Sequence, residues 1–551
     1  MTFLDHIFGR LKKTADLVVL EELRSDPGVP KWGLTANELL AHISQARAFL
    51  AALGLKKGDR VAILGHNSID WVAIDLAIMA EGLIVVPLYA RQAPAELAAM
   101  MKDCSPALVC CGDAALRDGI AREWPDAPAQ YLFADVLAAQ PSSRAAPHVE
   151  ESDPVTIIYT SGTSGEAKGV VLTAGNIGHM LGCTSDRLDS LMEKRPGQDH
   201  VFHYLPLCFA GSWIMLLTCL QRGSQLTFNT DLTRLAADIR TTAPDYFLNV
   251  PQLLERMRKA VDEQLWKTGG VVHTIYSKAK SAWMRKQERK SSFADSVWLA
   301  CAKSLVFPTI RKKMIGSNLK ALICGSAPLS VETQQYFMML GIPVLQVYGL
   351  TETTAICTMD DPRHVVPGCV GPPIRGIEMK LDENGEIVVR GPNIFTGYWN
   401  RPQETAKALR DGWFHTGDQG EADASGNWKI VGRIKNLVIL GSGHNIAPEP
   451  IEDDLLQNLP AAQQVVLVGN GRGYLSAILT GPVTSQEAQA AVDVVNHAMP
   501  HYKQIRAFHI HAEPFSIENG LLTANGKLKR DLIAARLQGE IDKMYAVKQA
   551  V

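Results

Sequence analysis

The sequence has almost no net charge and no CxxC motif. Its 551 residues hold 55 Lys or Arg and 57 Asp or Glu, which leaves a net charge of −2. Because nucleic-acid-binding proteins are usually strongly basic, this balance argues against a dedicated nucleic-acid binder. Hydrophobic residues make up 46% of the chain and charged residues 20%. These fractions exclude a disordered or fibrous protein and are ordinary for large globular domains.

The cysteine pattern argues against an extracellular protein. Ten cysteines lie between Cys104 and Cys369, and Cys110 and Cys111 are the one adjacent pair. This spacing does not fit a disulfide framework or a zinc site. The N-terminal segment lacks an apolar core followed by a small-residue cleavage site, so we expect no signal peptide. A reducing, cytoplasmic setting is the prediction.

Residues 201–220 contain no Asp, Glu, Lys or Arg, so this segment is a candidate membrane span. A spanning helix needs about 20 mainly apolar residues, whereas this segment contains His203, Pro206 and Gly211. The composition favours a buried strand followed by a core helix. The alternative is a helix that lines an apolar ligand tunnel, in which Trp213 is a candidate gate.

Strand and helix patterns alternate along the chain. Thr35 and Glu38 form a T-x-x-E capping box before a helical pattern. Two β-rich runs, at 60–64 and 84–88, flank a second helical pattern at 68–81. This alternation predicts an α/β fold with parallel sheets covered by helices on both faces.

Composition divides the chain into larger parts. Residues 138–153, rich in Ala, Pro, Ser and charge, predict a linker between two doubly wound α/β lobes. From about residue 368 the sequence becomes glycine-punctuated and β-rich, which predicts a β-rich subdomain. The last hundred residues have the pattern of a small α+β unit.

Residues 255–313 are strongly basic. They hold 14 Lys or Arg and 5 Asp or Glu, a net charge of +9. Four aromatic residues lie among these charges, namely Trp266, Tyr276, Trp283 and Trp298. One interpretation is a solvated pair of helices. The other is a surface that contacts anionic lipid headgroups or the phosphates of a large ligand.

The densest motif is a Thr/Ser/Gly run that follows a predicted strand and ends in Lys-Gly. Small hydroxyl residues and glycines allow backbone N–H groups to surround phosphates, and a lysine adds a point charge. The run is not a Walker A loop, because Gly-Lys-Ser/Thr does not follow the required four-residue gap. The candidate phosphate-binding residues are Thr160, Ser161, Gly162, Thr163, Ser164, Gly165 and Lys168.

A second motif begins at Tyr348 and Gly349, where an aromatic ring beside glycine can stack on a purine. Thr351 can donate to a phosphate oxygen, and Glu352 offers carboxylate oxygens to Mg²⁺. Alone this motif is weak, since a buried Tyr and a helix-start Thr/Glu are common.

Two further motifs lie nearer the C-terminus. In Thr416-Gly417-Asp418, the aspartate can accept both hydroxyls of a ribose, and Arg433 can reach a ribose or a phosphate. A lysine, Lys527, follows Asn-Gly at a predicted turn.

In this order and spacing, the four motifs resemble the adenylate-forming superfamily, which contains acyl-CoA synthetases, adenylation domains and luciferases. Within it, Asp153-Pro154-Val155, the segment 325–330, the segment 519–523 and the basic insert are similar to the long-chain fatty-acid–CoA ligase branch. The resemblance implies a large N-terminal domain, 1–432, and a small mobile C-terminal domain, 433–551, with a hinge near Lys435.

The resemblance also implies roles for individual residues. The loop from Thr160 to Lys168 would hold the β and γ phosphates of ATP. Thr351 would contact the α-phosphate, Glu352 would bind Mg²⁺, and Lys527 would bridge the acyl carboxylate and the α-phosphate. The remaining nucleotide contacts would be Tyr348 and Gly349 at the adenine, the pocket-lining Gly325, Ser326, Ala327 and Pro328, and Asp418 and Arg433 at the ribose. Gly443 would belong to a loop, 441–444, that guides pantetheine.

The implied activity is ATP-dependent conversion of a hydrophobic, medium- or long-chain fatty acid to acyl-AMP and then to acyl-CoA. Loading of the acyl chain onto a carrier-protein thiol is the alternative, because pantetheine attack is similar in both. A luciferase-like fate has no positive support, and a nucleotide- or lipid-sensing relic would be expected to lack Lys527 or Glu352. Asn436 departs from the family, which commonly has an acidic residue there.

Overall fold

The structure is a computed structural model that describes residues 1–24, 31–142, 144–161, 167–193, 197–523 and 526–546; of Ser161 only the backbone is described. No disulfide joins the ten cysteines, all of which lie within these ranges.

The structure contains both helices and strands throughout its length. The strands are β1 Val18–Leu23, β2 Lys31–Thr35, β3 Arg60–Gly65, β4 Ile84–Tyr89, β5 Leu108–Cys111, β6 Gln130–Leu132, β7 Pro154–Ser161, β8 Ala167–Thr173, β9 His200–His203, β10 Gln225–Asn229, β11 Tyr246–Asn249, β12 Ala321–Cys324, β13 Val344–Tyr348, β14 Thr358–Met359, β15 Glu378–Leu381, β16 Glu386–Arg390, β17 Gly397–Tyr398, β18 Leu409–Arg410, β19 Trp413–Ala422, β20 Trp428–Arg433, β21 Val438–Ile439, β22 Asn445–Ile446, β23 Gln464–Val468, β24 Leu475–Thr480 and β25 Ile505–His511. The helices are α1 Phe3–Lys13, α2 Ala36–Ala52, α3 Ile69–Ala80, α4 Pro94–Cys104, α5 Ala114–Glu123, α6 Phe133–Leu137, α7 Ala174–Met192, α8 Ala210–Arg222, α9 Leu235–Thr242, α10 Pro251–Thr268, α11 Gly270–Gln287, α12 Phe293–Leu305, α13 Phe307–Ile315, α14 Val331–Met339, α15 Pro402–Ala408, α16 Pro448–Asn458, α17 Ser485–His497, α18 Arg530–Arg536 and α19 Gln538–Ala546.

Two large sheets form the main framework. An eight-stranded sheet has the order β14-β13-β12-β11-β9-β10-β1-β2, and a seven-stranded sheet has the order β17-β8-β7-β4-β3-β5-β6. Most neighbouring strands in both sheets are parallel. A five-stranded sheet runs β15-β16-β19-β18, with β20 beside β19. These sheets confirm the predicted α/β class with two doubly wound lobes and a β-rich part. The prediction that residues 138–153 separate the two lobes is wrong, because β4 and β7, on either side of this segment, pair in the seven-stranded sheet.

Local sequence signals place several elements where they were predicted. Thr35 and Glu38 form the expected capping box at the start of α2, where the Glu38 carboxylate accepts the Thr35 N–H at 2.8 Å. Every residue of helix α3 except Asp70 is buried, because the helix packs inside the framework rather than on its surface. A sequence that is apolar on all sides of a helix predicts a buried helix, and α3 is buried as this pattern predicts.

The uncharged segment 201–220 forms strand β9 and helix α8, and the helix is almost completely buried. The predicted strand and core helix are therefore confirmed. Among the residues the structure describes, no single helix meets the length and hydropathy expected of a membrane span; the pair α12 and α13, bent by 44°, meets them together.

The basic segment forms four consecutive helices, α10 to α13, instead of a pair. The expectation that all four aromatic residues share its surface is wrong for Tyr276. Its ring is buried beside Ala279 and Ala282, since these residues lie at helical spacing on the inward face of α11. Trp266, in contrast, is 76% exposed.

The chain divides into two compact units. Unit 1 comprises residues 1–379, 389–414 and 423–428, and unit 2 comprises residues 380–388, 415–422 and 429–551. Within unit 2, strands β23, β24 and β25 form a three-stranded sheet, and α16 and α17 contribute to its apolar core. This is the small α+β unit that the sequence predicts, whereas the boundary at 432 and 433 stays a prediction.

Candidate active site

The phosphate motif lies on a β-hairpin of unit 1. Strands β7 and β8 pair antiparallel, with Thr160 opposite Lys168, so both residues stand at the end of the hairpin. Gly162, Thr163, Ser164 and Gly165 lie outside the described residues, as does the side chain of Ser161.

Lys168 has partners that the sequence did not indicate. Its ammonium group forms an ion pair with Glu404 of α15 and lies 5.3 Å from the ring centre of Tyr398. This arrangement lowers the pKa of Glu404 through its hydrogen bond to Lys168. The lysine is thus held by the Glu404 carboxylate and by the face of the Tyr398 ring. A phosphate that binds Lys168 would compete with Glu404 for its ammonium group and would lie beside the ring.

Tyr398 also connects the hairpin to the second motif. Its hydroxyl donates to Oε1 of Glu352 at 2.8 Å, and its strand, β17, pairs with β8. The backbone N–H of Phe395 donates to the Glu352 carbonyl at 2.9 Å. One tyrosine therefore contacts both the candidate phosphate-binding lysine and the candidate metal-binding glutamate.

The predicted adenine pocket lies where two parallel strands end. β12 and β13 are neighbours, and Gly325 and Tyr348 stand at their carboxyl ends, where α/β sheets bind ligands. A Cβ on Gly325 would come within 2.6 Å of the Val347 side chain. Ser326, Ala327 and Pro328 follow Gly325 and are exposed.

The turn after Tyr348 requires glycine. A Cβ on Gly349 would lie 2.3 Å from the Ala355 carbonyl oxygen, which is backbone and cannot move aside as a side chain can. Thr351 and Glu352 then begin a 3-10 turn.

Asn393 fixes the far side of this turn and was missed in the sequence. Its amide donates to the carbonyls of Thr353, at 3.1 Å, and Ile356, at 3.0 Å. Thr354 returns a hydrogen bond to the Asn393 carbonyl at 2.7 Å. Because Asn393 is fully buried, these bonds hold the Thr351–Thr353 turn rigidly. No local pattern around Asn393 distinguishes it from a loop asparagine.

In unit 2, the predicted ribose-binding pair is in contact. Asp418 is buried in β19, and the Arg433 guanidinium Nε lies 2.7 Å from Asp418 Oδ1. The Asp418 N–H donates to the Thr416 hydroxyl at 3.1 Å, and this hydroxyl donates to the Ile387 carbonyl at 2.7 Å. The pair thus presents a carboxylate and a guanidinium from two neighbouring strands, β19 and β20.

The predicted hinge lies in a short 3-10 helix, Ile434–Asn436, which contains Lys435. The Asn436 amide donates to Glu449 Oε1 at 2.6 Å. An acidic side chain in this position would face the Glu449 carboxylate, which gives a physical reason for the neutral amide in this chain.

Gly443 lies in the exposed turn between β21 and β22 and has a φ of +83°, which favours glycine. The Gly443 N–H donates to the Leu440 carbonyl at 2.8 Å. The predicted pantetheine loop is thus the tip of a small hairpin.

Lys527 stands on a second hairpin of unit 2 and is exposed. Its N–H donates to the Thr523 hydroxyl at 3.0 Å, and its carbonyl accepts the Thr523 N–H at 2.8 Å. Three residues later, Arg530 forms a two-pronged ion pair with the buried Glu452. This ion pair anchors the segment that follows the lysine.

Trp213, the candidate gate, is completely buried in α8. Its indole N–H donates to Asp75 Oδ2 at 3.0 Å, and no described residue contacts Asp75 Oδ1 as a hydrogen-bond partner. Burial raises the pKa of Asp75 to about 7. Any rotation of Trp213 would have to break this hydrogen bond.

Comparison with known proteins gives matches over nearly the whole chain. The AMP-binding enzyme family model matches residues 12–399, and the AMP-binding enzyme C-terminal domain model matches residues 435–549. The long-chain-fatty-acid–CoA ligase FadD15 of Mycobacterium bovis is 28% identical, with 93% of this chain and 92% of the relative covered. The long-chain-fatty-acid–CoA ligase ACSBG2 of Rattus norvegicus is 28% identical over 94% and 89% of the two chains.

Solved structures share the fold. The o-succinylbenzoate CoA synthetase MenE of Bacillus subtilis, in complex with its acyl-adenylate intermediate, has a TM-score of 0.74 at 21% identity and covers 96% of this chain and 97% of its own. The anthranilate CoA ligase AuaEII, in complex with anthranoyl-AMP, has a TM-score of 0.75 at 20% identity, with 97% of each chain covered. With the family models, these matches confirm the predicted family: the chain belongs to the AMP-binding enzymes and is an acid–thiol ligase.

Proposed function

We propose that the protein activates a hydrophobic, medium- or long-chain fatty acid with ATP and transfers the acyl group to CoA. The acid class and the acceptor are suggested by the long-chain-fatty-acid–CoA ligases that this chain resembles along most of its length. The observation that carries the proposal is the pair of contacts of Tyr398, with Lys168 and with Glu352. They bring a phosphate-binding cation and a carboxylate to one place in unit 1.

The first half-reaction solves a leaving-group problem. A carboxylate is a poor acyl donor, because its leaving group would be oxide. Attack of a carboxylate oxygen on the α-phosphorus of ATP forms acyl-AMP and releases pyrophosphate, so AMP becomes the later leaving group. Since two anions must meet, positive charge has to be concentrated where they approach.

Each half of the proposed site has a part in this step. In unit 1, the Thr160–Lys168 segment holds the β and γ phosphates, Tyr348 stacks on the adenine and Thr351 donates to the α-phosphate. Glu352 would hold Mg²⁺, for which carboxylate oxygens are suitable ligands, and that ion supplies charge neutralisation at the phosphates.

Unit 2 supplies the other contacts. Asp418 accepts the ribose hydroxyls while Arg433 steadies its carboxylate. Lys527 bridges the acid and the α-phosphate.

In the second half-reaction, a thiolate attacks the acyl carbon and AMP leaves. The two steps need different groups beside the same carboxyl group, because the first makes a bond at the α-phosphorus and the second makes a bond at the acyl carbon. We propose that the C-terminal domain, residues 433–551, turns about a hinge near Lys435, withdraws Lys527 and brings the Gly443 hairpin to the pantetheine arm of CoA. A carrier-protein thiol is the alternative acceptor, because its loading would use the same chemistry.

The test is acid-dependent pyrophosphate release with saturated fatty acids of increasing length, with CoA or a holo carrier protein supplied in turn. We expect release to require both acid and ATP, to be greatest with medium- or long-chain acids, and to yield AMP and acyl-CoA. Thioester formation on the carrier protein alone would replace CoA by the alternative acceptor. No acid-dependent release with any fatty acid would refute the proposal.

We also propose that helices α10 to α13 make peripheral contact with an anionic membrane at the inner face. Four apolar side chains there are strongly exposed: Trp266 at 76%, Val271 at 74%, Phe293 at 86% and Leu305 at 68%. They lie within the segment of net charge +9. Basic residues near an anionic membrane gain about 1 kcal/mol each, and apolar side chains can enter the headgroup region.

Co-sedimentation with vesicles that contain anionic lipid tests this contact at low and high salt. We expect binding that weakens with salt and is lost when Lys286, Arg289 and Lys290 are changed to Glu. The matched control changes Lys12, Lys13 and Lys56, which are exposed outside the segment, to Glu. Equal losses in both triple variants, or no effect of salt, would exclude a membrane surface at these helices.

A further inference from the structure

We propose that Glu386 is the positioning residue for the ribose-binding Asp418, an inference that rests on the proposed function. Glu386 is buried at the start of β16. It lies 32 residues before Asp418 in the sequence and belongs to no motif that the sequence analysis singled out. The structure brings it against the residues of β19 that immediately precede the aspartate.

Both carboxylate oxygens of Glu386 contact this part of β19. Oε1 accepts the Gly417 N–H at 2.8 Å, and Oε2 lies 2.8 Å from Nδ1 of His415. The carboxylate thus contacts the residue before Asp418 and the residue three positions before it. A single side chain therefore contacts the backbone of Gly417 and the ring of His415 at the same time.

The segment has an unusual backbone conformation at Gly417. Its φ of +71° lies in the left-handed region, which favours glycine. The Gly417 N–H is the group that Glu386 accepts, so this hydrogen bond helps to hold the backbone at the residue before Asp418. Without it, Asp418 would still be present but would no longer be aimed reliably at a ribose.

Asp382 holds Glu386 in turn. Its Oδ1 accepts the N–H groups of Asn384 and Glu386, each at 2.8 Å. Asp382, Glu386 and His415 place one ligand atom each within 4.8 Å of one another, a spacing that would also suit a metal ion. The hydrogen bonds to Gly417 and His415 account for the position of Glu386 without one, so we assign the cluster to positioning.

The readout is discrimination between ATP and its 2′-deoxy and 3′-deoxy analogues in acid-dependent pyrophosphate release. A merely structural role would lower kcat/KM for all three nucleotides together and leave their ratio unchanged. A positioning role acts on the ribose contact, so Glu386→Ala should reduce the preference for ATP by about tenfold. Asp418→Asn should reduce it in the same way.

Two further variants sharpen the test. In Glu386→Gln, the amide oxygen can still accept from Gly417 and the amide N–H can donate to His415 Nδ1, so most of the preference should be retained. Glu386→Asp is one methylene too short to reach both groups, so it should lose the preference, and it serves if the alanine variant does not fold. Glu421→Ala, an exposed glutamate of the same strand as Asp418, is the matched control and should keep the wild-type ratio.

The outcomes separate the two proposals. If the wild-type protein releases pyrophosphate but does not prefer ATP over the deoxy analogues, the ribose role of Asp418 is wrong and this inference fails with it. If the wild type and Asp418→Asn behave as expected but Glu386→Ala keeps the wild-type preference, the ribose role stands and Glu386 does not position it.

Discussion

The buried carboxyl group of Asp75 should make the stability of unit 1 depend on pH. Burial raises its pKa to about 7 in the folded protein, whereas an aspartate in an unfolded chain has a pKa of about 3.9. The folded state therefore binds this proton more tightly. Its stabilising contribution is complete below about pH 4 and is lost as the pH rises through about 7. A difference of about 3 pKa units corresponds to about 4 kcal/mol.

Asp75→Asn isolates this effect. An asparagine can still accept the Trp213 indole N–H but cannot ionise, so the variant should lose stability less steeply as the pH rises from 4 to 7. The assay is urea unfolding of the variant and the wild type between pH 4 and pH 8, followed through the transition of unit 1. The difference in unfolding free energy should shift in favour of the variant by up to about 4 kcal/mol across this range. Parallel pH profiles would refute the reasoning.

Two other substitutions test the proposed catalytic cycle. Tyr398→Phe keeps the ring beside Lys168 but removes the hydroxyl that donates to Glu352. We therefore expect adenylation to lose about 1.5–3 kcal/mol of stabilisation, measured as a higher Mg²⁺ concentration needed for pyrophosphate release. An unchanged Mg²⁺ titration would show that Tyr398 does not orient Glu352. Lys435→Pro fixes φ in the predicted hinge, so acyl-AMP should still form while transfer to CoA becomes slower. Single-turnover measurements of each step test this. Normal overall turnover would place the hinge elsewhere.

The sequence predicted those parts of the fold that depend on neighbours in the chain. The β-rich runs at 60–64 and 84–88 form β3 and β4, each one residue longer than predicted, and the Thr35 capping box is present, because residue preference and capping are local patterns. Strands β1 and β2 were not predicted. β1 pairs with β10, about 200 residues away, so its place in the sheet is decided by contacts that no local window contains.

The candidate site divides in the same way. Motif residues such as Lys168 and Glu352 could be identified from their residue types and spacing. The groups that hold them, Tyr398, Glu404 and Asn393, could not, because their roles arise from hydrogen bonds and ion pairs formed across distant segments. Chemistry-bearing motifs are thus more visible in sequence than the residues that orient them.

The most direct test of the account is the effect of Lys527→Ala on the two half-reactions measured separately. In the proposed cycle, Lys527 acts only in the first step, where it neutralises charge between the acid and the α-phosphate. Acyl-AMP formation from acid and ATP should therefore fall severely, while thioester formation from supplied acyl-AMP and CoA stays near the wild-type rate. Equal losses in both half-reactions would contradict a cycle in which one domain serves two steps in two orientations.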